Sequence, residues 1–329
     1  TCMTAWVGKD NKISHLATLP MEFNPGVFWS NFTKQVFGLS TGPPMGNQCG
    51  TVMGMAALGD KTKYAEEIYS DSAFFQMHGF DFGKYAEIAQ KGEQEQFDLA
   101  AGLQDATEVA CQQIFNDIFN LVGRKYENLC LAGGVALNSV MTGKIPDWMP
   151  ELKNIYIPPV PYDAGLAIGT AQYQYHQTLN EPRVDFGDYF TPYLGARYNK
   201  EHIEKAIEER GGMKVEQASR DDVVKLLTDK KVVSVYGGRS ESGRRALGNR
   251  SILADPRFSD MKDIVNERVK HRQWFRPFAP SVLAEDVADW FDRDLPSPYM
   301  SFVSKFKEDK LDKVPAVVHF DGTARTQTV

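Results

Sequence analysis

The chain has 329 residues, of which 42% are hydrophobic and 24% charged, and it carries a formal net charge of −6. This composition is that of an ordinary soluble globular protein, and the length exceeds one typical core, so two domains are predicted. The sequence contains no run of about eighteen apolar residues and no signal-peptide pattern, which argues against a membrane span and against secretion. Its modest acidity argues against general nucleic-acid binding.

The four cysteines, Cys2, Cys49, Cys111 and Cys130, show no CxxC spacing. This usage predicts reduced thiols in a cytoplasmic protein and argues against a structural zinc site. The chain begins without Met and ends within a predicted strand. We therefore expect both ends to be cut from a longer protein.

The first part of the chain predicts a hairpin and then helices. Residues 1–20 are predicted to form two short strands. Apolar residues recur at helical spacing over residues 27–37. The glycine- and methionine-rich segment 42–59 predicts a loop and a short packed helix, with its methionines in the core rather than at a metal. From about residue 95 to residue 122 the apolar residues step by three or four, which predicts a long amphipathic helix.

Two loops that follow predicted strands carry the first candidate site. Residues 128–132 predict a short buried strand running into Gly133-Gly134, and residues 154–157 predict a second strand, followed by Asp163 at the start of a helix. A glycine pair between strand and helix is typical of a phosphate or nucleotide cradle, although a plain tight turn needs the same residues. Asp163 also fits a helix N-cap. The pairing of the two loops at neighbouring strand ends favours a ligand between them.

The second part predicts alternating helices and strands. The predicted elements are a linker (182–194), helices (200–210, 221–230, 259–269 and 285–291), strands (213–217 and 232–236) and extended segments (280–283 and 298–303). In the first of these helices, Ile203 and Ile207 are expected to face inward. In the tail, Asp321-Gly322 predicts a turn between two strands.

The most unusual stretch lies between Arg239 and Arg276. It contains ten Lys or Arg residues and five acids, a local balance of +5 in an acidic chain. Cations concentrated beside glycines predict a bound anion, in particular a phosphate held by backbone and guanidinium groups. A surface loop with incidental arginines is the alternative, and the interleaved apolar residues Ile252, Leu253 and Trp274 argue against it.

Four stretches of the sequence resemble the O-carbamoyltransferases of nodulation-factor and antibiotic biosynthesis. They are LAGGVALNS (131–139), PYDAGLAIG (161–169), the stretch 238–280 with its RALGNRSILADPR and KHRQWFRPFAP cores, and HFDGTARTQTV (319–329). They follow the family's order over nearly the whole chain, and the RALGNRSILADPR and FRPFAPSVL blocks are highly specific.

The resemblance implies a two-domain, ATP-dependent carbamoyltransferase. Residues 1–188 would be the C-terminal part of an actin- and ribonuclease-H-like (Kae1-like) domain that binds a nucleotide and a metal, and residues 189–329 a YrdC-like mixed α/β domain. In this family the second domain makes carbamoyl adenylate from carbamoyl phosphate and ATP. The first domain then passes the carbamoyl group to a hydroxyl of the acceptor, which is expected to be a small molecule, with no nucleic acid or membrane as partner.

The resemblance also implies the residues of the site. By their positions in the family's motifs, carbamoyl phosphate and the adenylate would be held by Arg245, Lys270, Arg276 and Arg325. Supporting residues would be Asn249, Arg250, Ser251 and Arg272 in the second domain, and Gly133, Gly134 and Asn138 at the nucleotide site of the first. Planar guanidinium groups suit such polyanions. Lys270 also fits a cation at a helix C-terminus, and Asp321 fits a turn as well as a ligand site with His319.

A divalent metal, iron in this family, is implied at Asp163. Its two histidine partners belong to a family segment that this chain lacks, so we expect an empty or depleted site. None of the six histidines present stands in that motif (His15, His78, His176, His202, His271 and His319).

Two loops depart from the family's pattern. Where the family reads GEGKVMGLA, this chain reads QCGTVMGMA, so Cys49 and Thr51 replace the acid and the lysine. Where the family reads MEFGPRALG, this chain reads SESGRRALG, so Ser240, Ser242 and Arg244 replace Met, Phe and Pro. An altered acceptor therefore stays open. So do two other functions: a tRNA-modifying threonylcarbamoyl transferase, which combines the same folds and predicts a broader basic surface, and a nucleotide-binding regulatory module without catalysis.

Overall fold

The computed structural model describes residues 3–20, 22–42, 46–73, 75–76, 79–184, 187 and 189–329. Cys2 and His78 lie outside these residues, as does residue 188, where the domain boundary is predicted.

The N-terminal half is rich in helices. These are α1 (Pro25–Gln35), α2 (Cys49–Met55), α3 (Ala65–Asp71), α4 (Phe82–Ala89), α5 (Glu93–Leu121), α6 (Ser139–Gly143), α7 (Ile145–Trp148) and α8 (Leu166–Gln172). The strands of this half are β1 (Thr4–Lys9), β2 (Lys12–Thr18), β3 (Thr41–Gly42), β4 (Gly46–Asn47), β5 (Asn128–Cys130) and β6 (Asn154–Tyr156). The predicted hairpin, the short packed helix and the long helix are confirmed.

The C-terminal half mixes short helices with short strands. Its helices are α9 (Lys200–Arg210), α10 (Arg220–Thr228), α11 (Met261–Ile264) and α12 (Val287–Trp290). Its strands are β7 (Val233–Tyr236), β8 (Arg250–Leu253), β9 (Ser281–Val282), β10 (Val303–Lys305), β11 (Thr323–Arg325) and β12 (Gln327–Thr328). The chain is therefore a mixed α/β protein.

The strands in the described part of the chain pair two by two. β5–β6 and β9–β12 are parallel, and the other pairs are antiparallel. Parallel pairing sets Cys130 opposite Tyr156, so the chain leaves β5 and β6 at the same edge. The Gly133 loop and the Asp163 loop consequently lie side by side, and the Gly133 N–H donates to the Pro161 carbonyl at 2.5 Å.

Helix α5 is the centre of the largest core. Its stripe of Leu99, Leu103, Ala106, Ala110 and Ile114 is almost fully buried. Aromatic rings from the neighbouring segments pack around it, among them Phe28, Phe32, Phe80 and Tyr85. Each large side chain buried in this way stabilises the fold by about 1.5–3 kcal/mol, so this core anchors the N-terminal half.

Phe275 enters this core from the cationic stretch. Its side chain is 6% exposed, and its ring centroid lies 5.6 Å from that of Phe97 on α5. The segment that carries Arg272 and Arg276 is therefore fastened to the long helix.

The C-terminal half has smaller cores and exposed helices. One cluster contains Val287, Phe291, Phe306, Val317 and Ala324. Neither α9 nor α10 contains a buried residue. Their ends are instead held locally, by the side chain of Asn199 at α9 and by a capping box at Ser219 on α10. None of the helices in the described ranges combines the length and apolar character needed to cross a bilayer.

Four predictions of local structure were wrong. Ile203 is 41% exposed rather than inward, and Met213–Gln217 is not a strand. A strand needs a neighbour for its backbone hydrogen bonds, and this segment has none among the described residues. Strand β5 is not buried, since Asn128 and Cys130 are exposed. The turn at Asp321-Gly322 is present, with Gly322 at φ +76°, but no strand leads directly into it: β10 ends at Lys305, and β11, which follows the turn, pairs with β10.

Candidate functional site

Five cationic side chains from separate parts of the C-terminal half form one cluster, which we call the cationic cluster: Arg245, Lys270, Arg272, Arg276 and Arg325. Burial, and then the charges of Arg245, Arg272 and Arg276, hold the pKa of Arg325 well below its usual range. Burial, with the charges of Arg244 and Arg276, lowers the pKa of Arg245 to about 10. The pKa of Lys270 is lowered by burial and by the charges of Arg272 and Arg276. The four residues predicted to hold carbamoyl phosphate are thus brought together, with Arg272.

No carboxylate of the described residues forms a salt bridge with the cationic cluster. Two acids of the stretch pair with other cations: Asp255 binds Arg257, and Asp260 binds Lys230 at 2.6 Å. Like charges held together without counter-charges destabilise the folded protein, so an anion bound at the cluster would stabilise it.

Glu241 organises the loop that carries Arg245. Its Oε1 accepts from the backbone N–H groups of Leu247 at 2.7 Å, Asn249 at 3.0 Å and Arg250 at 3.3 Å. Three such bonds lower the pKa of Glu241 against the opposing effect of its burial, so the carboxylate is ionised. Glu241 is also the acid of the family's MEFGPRALG pattern, and the sequence alone did not assign it a role.

The predicted supporting residues Asn249, Arg250 and Ser251 build the same loop. Asn249 Nδ2 donates to the Arg239 carbonyl at 2.7 Å, and Ser251 Oγ accepts from the Gly248 N–H at 2.9 Å. The Arg250 guanidinium donates to the carbonyl of Gly237 at 2.6 Å and stacks 3.7 Å from the ring centroid of Tyr236. These side chains shape the loop, and the charge of Arg250 is not among those that shift the pKa values of the cluster.

Asn266 organises the segment that carries Arg272 and Arg276, and sequence reasoning missed it. Its Nδ2 donates to the carbonyls of Trp274 at 3.1 Å and Arg276 at 3.0 Å, while its Oδ1 accepts from Arg272 Nε at 2.7 Å. Arg272 also stacks 4.6 Å from the ring centroid of Phe278. The available signal was an asparagine within an apolar helical run, where a buried amide needs partners.

The glycine loop of the N-terminal half lies beside the cluster. Gly133 has φ +106°, and a Cβ added at Gly133 or Gly134 would meet no atom within 4 Å, so a ligand can approach this backbone closely. Asn138 caps α6 through Met141 N–H at 3.1 Å. A guanidinium N–H of Arg245 donates to the Leu137 carbonyl at 3.3 Å, which joins the two candidate sites.

The described residues do not fit the implied iron site. Asp163 is exposed, and no three His, Cys, Asp or Glu side chains in the described ranges form a group that could hold a metal ion. Four or more such donors are usual for a protein-bound transition metal, or three with an open position.

A cavity of about 250 Å³ lies between the two halves, next to Arg325. The N-terminal half contributes Gln104, Glu108, Ser139 and Lys144, and the C-terminal half contributes Phe278, His319, Asp321 and Arg325. Glu108 is buried against Lys144, and burial raises its pKa. Asp321 Oδ1 accepts from the backbone and hydroxyl of Thr323, at 3.1 and 2.7 Å, as a turn residue does.

The two loops that depart from the family's pattern make contacts of their own. Cys49 Sγ accepts from Thr33 Oγ1 at 3.5 Å, and Thr51 is buried. Ser242 Oγ donates to the Pro192 carbonyl at 2.8 Å, and the Arg244 guanidinium lies 4.6 Å from the ring centroid of Tyr162. The substituted side chains thus make their own contacts.

Comparison with known proteins gives two family matches and several relatives. The model "Carbamoyltransferase N-terminus" matches residues 6–172, and "Carbamoyltransferase C-terminus" matches residues 224–329. An uncharacterized protein of Synechocystis sp. is 40% identical over 263 residues, which is 72% of this chain and 42% of that protein. Nodulation protein NolO of Bradyrhizobium diazoefficiens is 35% identical over 351 aligned positions, 98% of this chain and 60% of that protein. Nodulation protein U of Sinorhizobium fredii is 38% identical over 202 residues, 61% of this chain and 34% of that protein. The chain thus spans 34–60% of the length of these relatives.

Proposed function

Because the chain belongs to the carbamoyltransferase family, we propose that it is part of an enzyme that transfers a carbamoyl group from carbamoyl phosphate to a hydroxyl of a small-molecule acceptor. The reaction proceeds through carbamoyl adenylate and consumes ATP. Residues 189–329 act as the YrdC-like, adenylate-forming domain, and residues 1–188 as the acceptor-binding, Kae1-like part. This boundary lies between the two matched ranges.

The observation that carries the proposal is the cationic cluster, for which the described part of the chain supplies no carboxylate partner. Carbamoyl phosphate and ATP are both polyanions, and guanidinium forks match phosphate oxygens in geometry as well as charge. A bound phosphate supplies the counter-charge that the described side chains do not. The cluster also stabilises negative charge that develops during phosphoryl and adenylyl transfer.

In the proposed sequence, water releases phosphate from carbamoyl phosphate and leaves carbamate in the site. A carbamate oxygen then attacks the α-phosphorus of ATP, the bond to the β-phosphate oxygen breaks, and pyrophosphate leaves. Arg245, Lys270, Arg276 and Arg325 hold the anionic oxygens throughout. The acceptor hydroxyl finally attacks the carbamoyl carbon, and AMP leaves. The described residues do not form a metal-binding group, so these steps use side chains of the protein.

The contact of Arg245 with the Leu137 carbonyl supports transfer between the halves. It places the loop of the cationic cluster beside the segment that begins at Gly133. The open space over Gly133 and Gly134 suits a nucleotide or acceptor that approaches the backbone. The cluster is local and largely buried within an acidic chain, which further favours anionic small molecules over nucleic acid.

Isotope exchange between pyrophosphate and ATP in the presence of carbamoyl phosphate tests the adenylation step. We expect exchange with the full chain and a loss of at least about 100-fold in Arg276→Ala, because a charge-assisted contact to the transferred group is worth about 2.7–4 kcal/mol. Arg268→Ala is the matched control, since Arg268 lies in the same stretch but is exposed and does not shift the pKa of Arg325.

Absence of exchange with the unaltered protein, or equal exchange in Arg276→Ala, would contradict adenylate formation. Exchange that requires threonine, together with carbamoyl transfer to tRNA, would favour the threonylcarbamoyl alternative. Tight ATP binding by calorimetry without any exchange would favour a regulatory module.

A further inference from the structure

Three buried polar atoms have no hydrogen-bond partner among the described residues, and they belong to residues that line one cavity. They are Ser139 Oγ, His319 Nδ1 and Arg325 Nε. Ser139 is 1% exposed and His319 is 9% exposed, and both line the 250 Å³ cavity together with Arg325. Buried polar atoms are almost always paired in folded proteins, so three unpaired atoms around one cavity indicate a polar ligand.

The neighbours of these atoms define which of them donate and which accept hydrogen bonds. His319 Nε2 lies 3.0 Å from the Gly54 carbonyl, so this nitrogen carries the proton and donates. Burial lowers the pKa of His319, with Asp321 acting in the opposite direction and Lys262 in the same one, so the ring is neutral at pH 7. Nδ1 of the neutral ring is therefore a hydrogen-bond acceptor, whereas Arg325 Nε is a donor and the Ser139 hydroxyl can act as both.

This combination complements a carbamoyl group. Arginine and lysine side chains have no acceptor, so the cationic cluster binds a phosphate but offers nothing to an amide N–H. A carbamoyl group has a carbonyl oxygen that accepts and an NH₂ that donates. Arg325 Nε suits the carbonyl oxygen, and His319 Nδ1 suits the NH₂, with Ser139 beside them. The cavity is also smaller than the roughly 300–1,000 Å³ of sites for drug-sized ligands, so it fits the carbamoyl end rather than a nucleotide.

We propose that His319, through Nδ1, is the residue that selects a carbamoyl group over an acyl group of the same shape. This inference rests on the proposed function, since it takes carbamoyl phosphate as the substrate. The phosphate is held by the cationic cluster, and the carbamoyl end lies in the cavity against His319, Ser139 and Arg325. A methyl group in place of the NH₂ leaves the buried acceptor unpaired, which is the most effective way for a site to reject an analogue.

Two stable phosphonates test the inference by calorimetry with the full chain. Phosphonoacetamide carries the NH₂, and acetonylphosphonate carries a methyl group in its place. We expect the unaltered protein to bind phosphonoacetamide about 10- to 100-fold more tightly, the effect of one buried hydrogen bond. His319→Gln keeps an N–H for the Gly54 carbonyl but has no acceptor at the Nδ1 position, so the preference should disappear. His319→Asn keeps an acceptor there and should retain the preference.

The ratio of the two affinities is the decisive measurement, because a general loss of folding weakens the binding of both ligands alike. Equal binding of the two phosphonates by the unaltered protein, as expected if the cavity is filled by water, would overturn this inference while leaving phosphate binding by the cluster intact. An unchanged preference in His319→Gln would overturn it as well. Binding of neither phosphonate, with no pyrophosphate exchange, would overturn the proposed function too.

Discussion

Arg325 lies in an unfavourable electrostatic environment, because its buried charge faces three other guanidinium groups. Its pKa is lowered by burial first and then by Arg245, Arg272 and Arg276. Its Nε has no partner among the residues that the structure describes. A buried charge of this kind destabilises the protein without ligand, and the anion proposed above would supply the missing counter-charge.

Replacing Arg325 by methionine should therefore stabilise the ligand-free protein. For Arg325→Met we expect a Tm higher by about 2–4 °C, which corresponds to roughly 1 kcal/mol for a domain of this size. The same variant should lose most of the stabilisation by pyrophosphate, which in the unaltered protein reaches about 2.7 kcal/mol at a hundredfold excess over Kd. Thermal unfolding with and without pyrophosphate measures both effects. A lower Tm together with an unchanged response to pyrophosphate would contradict this account.

At the scale of elements, helix α6 and strand β10 meet through a glycine. A Cβ added at Gly143 would lie 2.2 Å from the carbonyl oxygen of Val303, which is backbone and cannot move aside. Thr142 Oγ1 donates to the Ser301 carbonyl at 2.6 Å, and Arg293 donates to the Gly143 carbonyl at 2.5 Å. Since β10 pairs with β11, this contact fixes Arg325 relative to the N-terminal half.

Gly143→Ala should destabilise the protein by about 1–3 kcal/mol, as overpacking of a close contact does. Gly169→Ala is the matched control, because Gly169 lies in α8 and a Cβ there meets no atom within 4 Å. We expect that control to stabilise the protein by about 0.5–1 kcal/mol through helix propensity. Urea unfolding compares the two variants. Equal free energies of unfolding for both would show that α6 and β10 do not approach as closely as described.

At the scale of the whole molecule, the two halves share the cavity, and His319 connects them through the Gly54 carbonyl. A buried neutral histidine makes this connection sensitive to pH. The pKa of His319 is lower in the folded protein than its usual 6.5, mainly because of burial. As pH falls below 6.5, the unfolded chain takes up a proton that the folded chain resists, so this group's contribution to stability is present above pH 6.5 and is lost below it.

We therefore expect the free energy of unfolding to fall between pH 7 and pH 5.5 by more in the unaltered protein than in His319→Asn. The sign of this difference follows from the lowered pKa, because asparagine cannot take up the proton that the folded protein resists on His319. Urea unfolding of both proteins at the two pH values measures it, and the other titrating groups cancel in the comparison. A fall of the same size in both proteins would contradict a buried neutral His319.

Much of the local structure and the membership of the cluster followed from the amino-acid sequence. Helix α5 has a sustained apolar stripe, and the hairpin β1–β2 depends on neighbouring residues, so local periodicity is sufficient for both. The motif resemblance predicted Arg245, Lys270, Arg276 and Arg325 together, although 80 positions separate the first from the last. The prediction of a strand at 213–217 was wrong, because a strand needs a pairing partner and a local sequence pattern does not show whether one is present.

Only the tertiary structure shows which of the ten cations between Arg239 and Arg276 have counter-charges. Arg257 is neutralised by Asp255 and Arg250 is engaged by backbone carbonyls, whereas Arg245, Arg272 and Arg276 converge on Arg325 with no carboxylate partner among the described residues. The unpaired atoms of Ser139 and His319 were equally invisible in the sequence. Composition and spacing establish how many charged residues the chain contains. Burial, pairing and repulsion depend on distances between residues far apart in the chain, so only packing determines which of these charges lack a partner.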